Sequence, residues 1–170
     1  VIGHSLGVTM ARRAIKGGTF TEYLGATINL GTNINTKVDT FVGIAGGNRG
    51  LNSCGSWPLN TWTPTCGPDG LAVNNPFLKA LNGGAAYMIY GVGNTLSMKT
   101  GSYTYSIKSW VDEIVCLPSY PTYCYIYMKH TSQLDGENGS KTYSSVPYGH
   151  FGLKTQTAAV QYNMVVNHTY

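Results

Sequence analysis

A chain of 170 residues with 42% hydrophobic content has the length of one ordinary domain and enough apolar material for a core of that size. Its formal net charge is +4, but only 11% of the residues are charged and the sole tight basic group is Arg12, Arg13 and Lys16, a balance that does not argue for a nucleic-acid partner. No stretch approaches the length of a membrane-spanning helix.

Val1-Ile2 is apolar, Gly3-His4-Ser5-Leu6-Gly7 has turn character, and Val8, Ala11, Ala14 and Ile15 recur at helical spacing. This opening predicts the end of a strand, a sharp turn and a helix stopped at Gly17-Gly18. The basic group near the end of that helix then complements the negative pole of its dipole. A polar stretch, 19–36, leads to the apolar, β-branched run from Lys37 to Ala45, which fits a buried parallel strand. Residues 48–75 are rich in Gly, Pro, Asn, Trp and Cys without a sustained period, so they read as an excursion outside the sheet. Asn75-Pro76 opens a helix through Leu78 and Leu81, and 85–98 suits helix or strand equally. Tyr103 to Ile107 is a third strand, with a loop beginning in Lys108 to Glu113. After a second excursion, 116–139, come a short strand at Lys141 to Val146 and a last amphipathic helix marked by Leu153, Thr157, Val160, Gln161, Met164 and Val165. Strands alternating with helices predict an α/β fold with a mostly parallel sheet flanked by helices, in one domain over 1–170.

The four cysteines fall into two local pairs, Cys54 with Cys66 and Cys116 with Cys124. Four cysteines allow three connectivities, of which neighbour pairing closes the shortest loops. The spacings lack a C-x2-C pair and no histidine flanks them at ligand distance, so two disulfides are expected rather than a metal site. An oxidising, extracellular setting follows. The sequons Asn138-Gly139-Ser140 and Asn167-His168-Thr169 point the same way.

Gly3-His4-Ser5-Leu6-Gly7 matches G-x-S-x-G, in which a serine is held in strained geometry on a strand-to-helix turn and glycine two residues either side avoids collision across it. Ser5 is the candidate nucleophile, and the backbone N–H of Leu6, at the helix N-terminus, is the candidate oxyanion donor. Serine needs a base. His150, after the last strand and before a helix, is preferred over His130 in an excursion and His168 in a frayed tail, and His4 beside the turn reads as a packing or hydrogen-bonding residue. The base needs an orienting carboxylate. Asp112 fits by chain order and by following a strand directly, with Glu113 and Asp135 as rivals. Trp57 and Trp62, between Cys54 and Cys66, suit a lid or acyl-binding rim, or equally the ordinary packing of an aromatic loop.

With these residues in place the chain resembles the lipase class 2 family. The resemblance rests on Val1-Ile-Gly-His-Ser-Leu-Gly7, the strand ending Gly46-Gly-Asn48, Ser109-Trp-Val-Asp-Glu-Ile-Val115 and Tyr148-Gly-His-Phe-Gly-Leu153. It implies an α/β-hydrolase fold, with Ser5, Asp112 and His150 as nucleophile, acid and base. It further implies hydrolysis of acylglycerols or related lipid esters through an acyl-enzyme, without a cofactor, on a lipid or small ester substrate for which a lipid–water interface is one setting. An acyltransferase or thioesterase with the same three residues, and a secreted inactive binding module, are the alternatives. Because Val1 is not Met and the serine motif lies within the first seven residues, the chain is expected to be the C-terminal portion of such a domain, upstream strands missing. A second oxyanion donor is expected in the absent part, and the fragment alone is expected to aggregate or fail to hydrolyse esters.

Overall fold

Four parallel strands bring the candidate residues to one edge of a single sheet. The computed structural model describes residues 1–56, 64–83, 99–116, 124–126 and 128–170. In chain order the elements are β1 (Ile2–His4), α1 (Leu6–Lys16), β2 (Thr19–Thr21), β3 (Thr27–Asn29), β4 (Thr40–Ile44), β5 (Leu51–Ser56), β6 (Ala72–Val73), α2 (Pro76–Asn82), β7 (Tyr103–Ser109), β8 (Tyr125–Ile126), β9 (Lys129–His130), β10 (Gly139–Tyr143), α3 (His150–Gln156) and α4 (Ala158–Tyr162), with a π turn at Asn163–Asn167. The main sheet runs β1-β4-β7-β10, parallel throughout. The expected α/β class with a parallel sheet is therefore borne out.

Alternation along β4 splits its side chains between two cores. Val42 and Ile44, level with Tyr105 and Ile107 of β7, pack against Leu153 of α3 and Met164. Phe41 turns the other way, toward Val8 and Ile15 of α1 and Leu134. The sheet is thus covered on both faces, as a parallel sheet requires. Val8 packs tightly against two glycines: a Cβ on Gly3 would come within 3.0 Å of its Cα, and one on Gly46 within 2.9 Å of its side chain. Gly7 differs from the expectation, because a Cβ there meets nothing within 4 Å. Only the first glycine of the serine motif is sterically required by the described residues. Gly3→Ala is accordingly expected to destabilise the protein by about 1–3 kcal/mol through overpacking. Gly7→Ala is expected to be neutral or to stabilise by up to about 1 kcal/mol, since it sits in a helix; urea unfolding of the two variants separates them.

The excursions share a satellite core. Leu51, Leu71, Phe77, Leu78 and Leu81 pack with Val115 and the two cystines, which join Cys54 to Cys66 and Cys116 to Cys124. Within these segments β5 and β6 form a small parallel pair and β8 and β9 a hairpin. Helix α2 starts as its sequence predicts, with Pro76 in its first turn and Asn75 Oδ1 accepting from the Leu78 N–H at 2.6 Å. The ambiguous stretch 85–98 lies outside the described residues.

Several boundaries shift. The polar stretch after α1 contains the antiparallel pair β2 and β3, too short for its alternation to register in sequence. The strand expected over 37–45 is only Thr40–Ile44, preceded by a 3-10 turn at Asn35–Lys37. The strand expected from Tyr103 runs to Ser109, and the last one lies at Gly139–Tyr143 rather than 141–146. The closing helix is broken at Thr157 into α3 and α4, Thr157 Oγ1 donating to the Leu153 carbonyl at 2.6 Å. The basic group does more than complement its own helix dipole. Arg12 donates to Asn48 Oδ1 at 3.0 Å and Asn82 Oδ1 at 2.9 Å, and Lys16 donates to the carbonyls of Ala80 and Leu81 at the end of α2. His168 is not in a frayed tail but stacks on Tyr103 with ring centroids 3.7 Å apart.

Candidate active site

Ser5 occupies the single residue between β1 and α1. Its φ of 57° and ψ of −132° lie in a region that non-glycine residues avoid, a strain worth about 1–3 kcal/mol that neighbouring contacts must hold. Two of those contacts are the Ser5 N–H donating to Ile44 O at 2.9 Å, which ties the turn to β4, and the Val8 N–H donating to Ser5 O at 3.0 Å, which starts the helix. Leu6 opens α1, so its N–H has no carbonyl partner within the helix and sits beside the serine at the positive end of the dipole.

Asp112 follows β7 by three residues and is 1% exposed. Its Oδ1 accepts the N–H groups of Ile114 at 3.0 Å and Val115 at 2.8 Å, so the local turn fixes the carboxylate. His150 opens α3 rather than lying in the loop before it, and is 2% exposed. Its Nδ1 lies 2.9 Å from both Asp112 oxygens. A carboxylate can only accept here, so Nδ1 carries the proton and Nε2 is left with a free lone pair. Among the described residues neither Ser5 Oγ nor His150 Nε2 makes a hydrogen bond, so the structure pairs Asp112 with His150 and leaves the Ser5 hydroxyl unpaired.

Sequence reasoning missed how the backbone of His150 is held. His4, adjacent to Ser5, has its Nε2 2.9 Å from the His150 carbonyl. A carbonyl only accepts, so His4 is protonated on Nε2. Burial, the largest influence, lowers the pKa of His4 from its ordinary value and favours this neutral form. On the other side, the His150 N–H donates to Glu113 Oε2 at 2.9 Å. Glu113, a rival acid by sequence, instead anchors the main chain of that histidine. The rings of His4 and His150 are 4.8 Å apart, which places His150 beside the serine turn. Adjacency in sequence, Asp112 next to Glu113 and His4 next to Ser5, was the only available signal.

The other rivals have structural partners. Asp135 pairs with Arg49 at 2.5 Å and Lys129 at 2.6 Å; burial alone would raise its pKa, but the hydrogen bonds from these two cations outweigh it and hold the carboxyl below its ordinary value. His130 accepts the Ser132 N–H on Nδ1 at 3.1 Å and has Nε2 3.3 Å from Ser109 O, leaving neither nitrogen for a substrate. The fold also brings His130 beside the cystine, its ligand atom and the sulfurs of Cys116 and Cys124 lying within 4.8 Å of one another. The expectation that no histidine approaches the cysteines is corrected, though both sulfurs are committed to the disulfide. Trp57 and Trp62 lie outside the described residues.

Burial pushes the pKa of His130 down to about 4. Above pH 6.5 the imidazole is neutral in both folded and unfolded chains and contributes no pH dependence. As pH falls from 6.5 toward 4 the unfolded chain takes up a proton that the folded one refuses, so stability is lost, by about 3 kcal/mol below pH 4. His130→Gln is expected to flatten the stability profile between pH 6.5 and 4 in urea unfolding; an unchanged slope would assign the loss to other groups.

A parallel sheet covered by helices, with a strained serine between β1 and α1 and a buried carboxylate–imidazole pair following later strands, defines an α/β protein with one candidate site. The family described as lipase (class 2) matches residues 1–163, and the chain belongs to that family. No curated protein and no solved structure matches it.

Proposed function

We propose that this lipase-family hydrolase is a serine carboxylic-ester hydrolase that cleaves acylglycerols or related lipid esters through an acyl-enzyme. Ser5 is the nucleophile, His150 the base and Asp112 the acid that orients it, with the Leu6 N–H as one oxyanion donor. The observation that carries this reading is the buried Asp112–His150 pair, whose tautomer leaves Nε2 as an acceptor, tied through His4 to the residue beside Ser5. Catalytic hydrogen bonds are often long before substrate is bound, so an unpaired Ser5 hydroxyl fits the resting enzyme.

Each step balances. Ser5 Oγ forms a bond to the ester carbonyl carbon while its proton passes to His150 Nε2, and the alcohol leaves with that proton. Water then attacks the acyl-enzyme, gives a proton to Nε2 and releases the carboxylic acid, and Ser5 Oγ recovers its hydrogen. Asp112 stays ionised and stabilises the imidazolium formed twice in the cycle. Extracellular action is part of the same proposal, supported by two disulfides and by sequon residues Asn138 and Asn167, which are both exposed. No described helix is long and apolar enough to cross a membrane.

The test is covalent. A long-chain alkyl phosphonate ester is expected to add its phosphonyl group once per chain, with the adduct mapped by mass spectrometry to Ser5 and lost in Ser5→Ala. An adduct on another residue, or labelling that survives Ser5→Ala, removes the assignment.

A further inference from the structure

About two turns along α1 from the candidate active site lies an apolar groove of about 260 Å³ between that helix, the β2–β3 hairpin and Phe77 of α2. Met10 and Ala14 line the helix side, and Phe20, Ile28 and Leu30 the hairpin side. Drug-sized ligands fill clefts of about 300–1,000 Å³, so this groove suits a single slender chain. Met10 and Leu30 are 53% and 40% exposed, which leaves it open to solvent.

One polar group among these apolar walls stands out. Arg13 is only 5% exposed, yet among the described residues its Nε and Nη2 have no hydrogen-bond partner. Its guanidinium lies over the Phe20 ring, 4.4 Å from the centroid, a contact that leaves the in-plane N–H groups unused. Glu22 also lines the groove, and among the described residues no Arg13–Glu22 ion pair forms. Leaving buried charged donors unpaired is costly. Burial also lowers the pKa of Arg13 from its ordinary value. Nε and Nη2 form one edge of the guanidinium, presenting two parallel donors that match the two oxygens of a carboxylate.

We propose that this groove is a second lipid site, which takes one long-chain carboxylate with its headgroup on the Nε–Nη2 edge of Arg13 and its alkyl chain along the apolar walls. Arg13 is eight residues beyond Ser5, about 12 Å along the helix, so the site is separate from the candidate active site. The proposal does not need the hydrolytic reading to hold, although a carboxylate of this kind is the product that reading would release.

The experiment is laurate binding by isothermal titration calorimetry to the Ser5→Ala protein, in which the methyl ester used as comparison stays intact if Ser5 is the nucleophile. Laurate is expected to bind at one site and methyl laurate at least tenfold more weakly. Arg13→Met should weaken laurate about tenfold or more, the loss expected for a charge-assisted pair, and leave methyl laurate unchanged. Leu30→Glu, at a wall position 40% exposed, should also weaken laurate, while Glu22→Gln should not. In the protein with Ser5 intact, Arg13→Met should leave phosphonate labelling unchanged. Equal binding of acid and ester, undiminished laurate binding in both Arg13→Met and Leu30→Glu, or tighter binding of dodecyl phosphate than of laurate would overturn the proposal. Missing phosphonate labelling with these binding differences intact would instead count against the hydrolytic reading alone.

Discussion

Asp112→Asn is expected to lower kcat for ester hydrolysis by on the order of 10⁴-fold with little change in fold. The size of the effect follows from which atom the local turn holds. The Ile114 and Val115 N–H groups both donate to Oδ1, so an asparagine keeps its carbonyl oxygen there and puts its amide NH₂ in place of Oδ2. His150 Nδ1 lies equally close to both positions. A donor on Nδ1 then faces a donor on the amide, and the conflict is relieved by moving the imidazole proton to Nε2, the atom required to accept from serine. The negative charge that stabilises the imidazolium is lost as well. Glu113→Gln provides the contrast, because an amide oxygen still accepts the His150 N–H; its expected cost is below about tenfold. Steady-state kinetics on a soluble short-chain ester would decide. Equal losses in the two variants would mean that the segment matters only as structure, and a larger loss at Glu113 would move the acid to that residue.

The parts of the site legible in sequence are those that follow a strand. Ser5 comes after β1, Asp112 three residues after β7 and His150 after β10, and in an open parallel sheet these positions gather at the carboxyl ends of the strands. Chain order therefore favours Asp112 over Asp135, whose two cation partners only the fold could supply. What remained hidden depends on contacts between distant residues. The tie from His4 to His150 spans 146 residues and the one from Arg12 to Asn82 spans 70, and neither leaves a local pattern. The β2–β3 hairpin escaped for a different reason. Three-residue strands, Thr19-Phe-Thr21 and Thr27-Ile-Asn29, offer one apolar residue each, too little alternation to distinguish from a loop. Gly7 differs in the opposite sense, because the motif assigns it a steric role that Gly3 alone carries among the described residues.

His150→Gln is expected to have the largest effect, lowering kcat by on the order of 10⁵–10⁶-fold and abolishing phosphonate labelling, since losing the base of such a unit costs about as much as losing the whole of it. Glutamine fills much of the same volume and can still donate to Asp112, but it has no lone pair basic enough to take the serine proton. His130→Gln is the control. Both histidines are buried, at 2% and 3% exposure, so burial does not distinguish them; their partners do. His130 uses each ring nitrogen against the backbone, between Ser132 and Ser109, and its substitution should change stability while leaving kcat within a few-fold of the parent. His150 has no Nε2 partner among the described residues and has its backbone held by Glu113 at one end and His4 at the other. If His150→Gln kept more than about a hundredth of the parent turnover, the base would have to be sought next door at His4. That residue is poorly suited to the task, because its Nε2 proton is already donated to the His150 carbonyl.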